Sequence, residues 1–197
     1  LELLFTKLQS NPSDSFKLRF VRFYHLISAK PEAGLGTDFF VSQVDLVQNN
    51  LFTQIYLSII LPTSEQLVRP VDRKAAVISF AKSMGDSQAF AQRYVKGWRF
   101  TCEAMLKMLM NPPKVTLGTG DEVVNEADVD DIGFGLGFTP LNACKKAARD
   151  DFPEIQDIQQ WVRQYLMDAN TRHNGAIAGY MDRLTDEGKQ ALALYVS

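Results

Sequence analysis

Cysteine is scarce in this 197-residue chain: there are two, Cys102 and Cys144, far apart and outside any CxxC pair. With no Asn-x-Ser/Thr sequon either, the simplest setting is a reduced, intracellular one. Excess positive charge is also lacking. A formal net charge of -2 argues against a general nucleic-acid binder, which is normally basic. No apolar run approaches a membrane span, because Leu57 to Leu61 is short and stops at Pro62. No two alternating runs flank a tight Asn-Gly turn, so no β-hairpin is predicted. Histidine is limited to His25 and His173, and neither has a second ligand at helical spacing, so no metal site is read. No Gly-x-Ser-x-Gly elbow is present, and no Gly-Lys-Ser/Thr follows the glycines at 118, 120, 133, 135 and 137. No cofactor motif and no catalytic constellation emerge.

What is present is helical pattern. An apolar fraction of 46%, with 13 Phe, is enough for one substantial core or several stacked repeats. The organising stretch runs from Ile59-Ile60-Leu61-Pro62 to Met84. It reads as a helix bent or ended at Pro62, a polar link, and a second helix beginning at Asp72. Val77, Phe80, Ala81 and Met84 share one face, and the small residues Ala76, Ser79 and Ser83 beside it admit a close neighbour. A helix pair of this kind needs another pair stacked on each side.

The remaining segments fit that logic. Leu3 to Gln9 reads as the end of a helix, and Ser13-Asp14 caps the next, whose predicted stripe is Phe16, Phe20, Phe23 and Ile27. A helix from Thr37 or Asp38 carries Phe40, Val44, Val47 and Leu51. Trp98, Cys102, Met105 and Leu109 share a face on a helix closed by Asn111-Pro112-Pro113. Helix resumes at 141–148. Pro153 suits the first turn of a long helix with Ile155, Ile158, Val162, Leu166 and Ala169, broken at Asn174-Gly175, before two final helices at 176–184 and 186–196. The fold class is all-α, built from antiparallel pairs. Cys102 and His25 read as packing residues.

The segment at about 114–139 differs in kind. It is glycine-rich and holds Asp121, Glu122, Glu126, Asp128, Asp130 and Asp131 with no basic residue among them, so it reads as a long loop. Asp128 to Gly133 fails as a calcium loop, since Ile132 and Thr139 occupy positions that need oxygen ligands. The acids either keep a loop solvated or meet a basic partner, where opposed potentials set orientation. Just beyond lie Lys145, Lys146 and Arg149, a small basic patch beside Cys144.

The order of these features resembles the carboxy-terminal part of the CAS/CSE exportin family. The residues that carry the resemblance are Leu4-Phe5-Thr6-Lys7-Leu8-Gln9, Phe23-Tyr24-His25-Leu26-Ile27, Ile59 to Pro62 and Asp72 to Val77. To these are added Asp130-Asp131, Phe134 and Phe138-Thr139-Pro140-Leu141. The resemblance implies a HEAT-repeat α-solenoid, with residues 1–197 as the carboxy-terminal region of a longer receptor. It further implies a non-enzymatic arch that binds importin-α with Ran in its GTP state and shuttles between nucleus and cytoplasm. It implies no nucleic acid, no membrane insertion and no cofactor. The opening without Met, inside helix-like sequence, agrees with a piece of a longer chain, one unable to support export alone. On that reading the partner-facing candidates are Asp121, Glu122, Glu126, Asp128, Asp130, Asp131, Lys145, Lys146 and Arg149. A helical scaffold for an unrelated partner is the alternative.

Overall fold

In the computed structural model, residues 2–111, 149–181 and 183–196 are described, and every regular element among them is helical. The chain forms α1 (Glu2–Gln9), α2 (Asp14–Ser28), α3 (Thr37–Asp45), α4 (Leu51–Ile55), α5 (Leu61–Glu65) and α6 (Pro70–Asp86). It continues through α7 (Gln88–Gln92), α8 (Val95–Met110), α9 (Ile158–Arg172), α10 (Ala176–Met181) and α11 (Asp186–Val196).

The helix that reaches Pro62 does not end there. It runs on to Glu65 through a π-helical turn at Tyr56–Ile60, in which the Leu61 N–H bonds Tyr56 O five residues back. The wider turn makes room where a proline ring would meet the carbonyl four residues earlier. Pro62 thus falls in the first turn of α5, where its missing N–H costs little. The predicted start of α6 at Asp72 moves two residues earlier, to Pro70, whose fixed φ suits a first turn.

Cross-helix contacts define two layers. In the first, α2, α6 and α9 lie side by side and run the same way. Arg22 meets Asp72 near the start of α6, while Lys82 near its end donates to Ala29 O at the close of α2. Lys74 reaches Asp150 and Phe152 ahead of α9, and Asp86 accepts from Arg172 at the far end of α9. In the second layer α5, α8 and α11 are neighbours, with Glu65 paired to Lys107 and Glu103 accepting from the Thr185 N–H. The layers oppose one another. Arg73 at the start of α6 donates to Met108 O and Asn111 O at the end of α8, whereas Trp98 Nε1 at the start of α8 donates to Met84 O. Parallel helices within each layer and antiparallel helices between them are what stacked helix hairpins produce.

The core lies between the layers. Val77, Phe80, Ala81 and Met84 are buried as their spacing predicts, as are Trp98, Cys102, Met105 and Leu109. The α2 stripe is a correction: Phe23 is exposed, and Phe20, Val21, Tyr24, His25 and Ser28 face inward. Neighbours on both sides of α2 explain the rotation. Phe20 packs on Phe5 and Phe40, and Tyr24 packs on Phe40 and Tyr56, while His25 meets hydroxyls from α5 and α6. Val47 likewise is exposed, because α3 ends at Asp45 and Leu51 opens α4. Pro153 lies in a turn, and α9 starts later, where the Asp157 carboxylate accepts from the Gln159 and Gln160 N–H groups at 2.9 and 3.0 Å.

Candidate functional site

Of the nine residues singled out by charge, Arg149 is described; Asp121, Glu122, Glu126, Asp128, Asp130, Asp131, Lys145 and Lys146 lie outside the described residues, as does Cys144. The structure therefore places one member of the basic patch, Arg149. The segment after Arg149 is fixed to the first layer. Lys74 Nζ lies 2.7 Å from Asp150 Oδ2 and donates to Phe152 O at 2.7 Å, and Lys30 pairs with Asp151 at 3.7 Å. The hydrogen bond from Lys74 holds the Asp150 carboxyl below the usual carboxylate range. Phe152 and Ile155 pack with Ala29, Ala75 and Ile78 beneath these pairs.

Arg149 stands at the mouth of a cavity of about 310 Å³ between α2 and α6, with Arg22, Arg69, Asp72 and Asp151 in its wall. Asp72, in the first turn of α6, organises this end. Arg69 grips it with Nε at 2.6 Å and Nη2 at 2.9 Å, and Arg22 Nε approaches to 2.9 Å. A carboxylate suits the positive end of a helix, and a fork-like grip fixes the guanidinium plane. Among the described residues the cavity wall holds three arginines and two aspartates. Its arginines suit recognition of hydrogen-bond acceptors.

A second surface feature is a groove of about 530 Å³ between the α4–π segment and α7–α8. Phe52, Tyr56, Phe90 and Tyr94 form its base, and Leu57 and Phe100, 44% and 43% exposed, stand at its edges. Arg93 and Lys96 are its cations. Lys96 and Arg99 lie off the apolar face of α8 and Arg93 just before that helix, and nothing in their spacing reports α4 as a neighbour.

Titratable groups in the core are structural. His25 is 1% exposed, with Nε2 2.7 Å from Ser64 Oγ and Nδ1 3.1 Å from Ser79 Oγ. Ser64 donates its own proton to Ile60 O at 2.5 Å, so it accepts from the Nε2–H, and Nδ1 accepts from Ser79. Burial drives the imidazole pKa down to about 3, keeping the ring neutral. Burial likewise pushes the Cys102 thiol up to about 12, far from a reactive thiolate. Among the described residues no group of three His, Cys, Asp or Glu is placed to hold a metal, and no described helix is long and apolar enough to cross a membrane.

The decisive comparison is with known families. The model for "CAS/CSE protein, C-terminus" matches residues 1–195. This chain belongs to the CAS/CSE family. An "Importin-alpha re-exporter" of Schizosaccharomyces pombe is 26% identical over 98% of the chain, and an "Importin alpha re-exporter" of Saccharomyces cerevisiae is 29% identical over 90%. The chain spans only 20% and 18% of the length of these curated relatives. Among solved structures, "The exportin Cse1 in its cargo-free, cytoplasmic state" superposes with a TM-score of 0.73 at 23% identity, over 99% of this chain and 19% of that one. The CAS/CSE fold is thus the one seen here: an all-α HEAT-repeat solenoid.

Proposed function

We propose that this chain is the carboxy-terminal part of a nuclear export receptor, one that binds importin-α together with Ran-GTP and returns importin-α to the cytoplasm. The observation that carries the reading is the CAS/CSE C-terminal match over residues 1–195, joined to relatives whose names describe importin-α re-export. The stacked helix pairs act as a non-catalytic arch that recognises shape and charge. In such a receptor the main contact with Ran belongs to amino-terminal repeats beyond the span of this chain.

Within the arch, Asp121, Glu122, Glu126, Asp128, Asp130 and Asp131 offer a negative strip to a basic partner surface. Lys145, Lys146 and Arg149 offer the opposite charge, and Arg149 stands beside the arginine-lined cavity at the start of α6. Opposed potentials speed encounter and fix orientation more than they raise affinity. The test is made in the full-length receptor: the six acids are replaced by their amides, and separately Arg149 by Glu. Capture of importin-α in the presence of Ran-GTP should weaken and lose part of its salt dependence. Unchanged capture at every salt concentration removes these residues from the interface.

A further inference from the structure

The groove between the α4–π segment and α7–α8 shares no wall residue with the cavity at Arg149. We infer that it docks a short segment of a partner protein that carries large apolar side chains beside an acidic residue. Its volume of about 530 Å³ falls in the range of small-ligand sites. The base is aromatic, and Leu57 and Phe100 stand at its edges, nearly half exposed, ready to close over an apolar anchor.

Charge selects what accompanies that anchor. Among the described residues no Asp or Glu lines the groove. The Arg93 guanidinium is already held by Asp45, with Asn49 Oδ1 at 2.6 Å and Asn50 Oδ1 at 2.8 Å. Lys96 is different: it is exposed and has no ion-pair partner among the described residues. It sits in the first turn of α8, which contains no acid and whose N-cap, Tyr94, makes no capping hydrogen bond. Nothing within the helix itself therefore compensates its positive end. Tyr94 supplies the second pointer. It is only 9% exposed, it lines the groove, and its hydroxyl is buried with no hydrogen-bond partner among the described residues. A buried hydroxyl normally finds a partner, and a turn of the Tyr94 side chain toward the groove would let an incoming carboxylate or carbonyl provide one. One lysine with an aromatic base is too little charge for a nucleic-acid backbone, whose binders engage many phosphates.

The experiment selects a random peptide library displayed on phage against the full chain, then measures the enriched peptides by fluorescence anisotropy. Enriched peptides should combine Phe, Trp or Leu with Asp or Glu. Leu57→Ser and Phe100→Ser, both at exposed positions, should each weaken them about tenfold or more, as buried anchors do. Lys96→Glu should weaken them and reverse their preference for acids, and Tyr94→Phe, which removes only the hydroxyl, should weaken them several-fold. Circular dichroism of each variant should match the parent. The proposal is overturned if no peptide is enriched, if enriched peptides lack acids, or if they bind all four variants as well as the parent. It is overturned equally if sedimentation shows the parent dimerising through this face, with Leu57→Ser monomeric.

Discussion

Gly85 on α6 meets Tyr165 on α9 so closely that a Cβ at position 85 would lie 3.0 Å from the ring Cε1 and 3.1 Å from the Ala169 Cβ. Tyr165 cannot swing away freely, because its hydroxyl donates to Asp86 and its ring stacks on Trp161. Gly85→Ala gains about 1 kcal/mol of helix propensity but meets an overpacking cost of about 1–3 kcal/mol. The expected net result is destabilisation. Gly85→Val, with little propensity gain, should be worse. Thermal melts check this, at roughly 2–4 °C per kcal/mol for a chain of this size; an alanine variant that melts higher than the parent would contradict the close approach.

His25 gives a pH signature. Its folded pKa of about 3 lies below the ordinary 6.5, so between those values the unfolded chain holds a proton that the folded chain lacks. Stability should be unaffected by this group above pH 6.5 and should fall as pH drops toward 3, with a slope of up to about 1.4 kcal/mol per pH unit. Urea melts of the parent and of His25→Gln across that window isolate the contribution. Parallel pH profiles would show that the ring is accessible and protonates in the fold.

Asp38 links α3 to α7. Its carboxylate accepts from the Gln88 N–H at 2.9 Å, the Ala89 N–H at 3.0 Å and the Ser87 hydroxyl at 2.5 Å. A cap supplied by another helix has the same physics as a local one, and Asp38→Ala should cost about 1–2 kcal/mol. Asp38→Asn, which keeps an acceptor, should lie between. Chemical denaturation resolves the two.

Cys102 should resist alkylation. With the thiol buried and pushed up to about 12, iodoacetamide at neutral pH should leave it unmodified in the folded chain and label it in urea. Mass spectrometry of the peptide containing Cys102 reads the difference. Fast labelling in buffer would mean that the face of α8 opens.

Much of this architecture is legible in the sequence, and the failures are informative. The faces of α6 and α8 follow directly from their periodicity, as does the break at Asn174-Gly175, where both residues adopt positive φ. Phe23 misled because hydrophobicity alone favours Phe over His. His25 is buried only because Ser64 and Ser79, far along the chain, satisfy both ring nitrogens. Pro62 misled because a π turn, which has no sequence signature, absorbs it. The candidate site was legible only as charge. Arg149 could be picked from a run of cations, but its place beside Arg22 and Arg69 depends on how α2 meets α6. The groove at Lys96 gathers residues from three helices, and single-helix patterns carry no record of that.

The most direct test of the transport reading is capture of importin-α by the full-length receptor, with and without Ran-GTP. Capture that appears with Ran-GTP, and is lost when the region spanned by this chain is replaced by unrelated HEAT repeats, is the predicted result. A receptor that ignores importin-α under both conditions would contradict it.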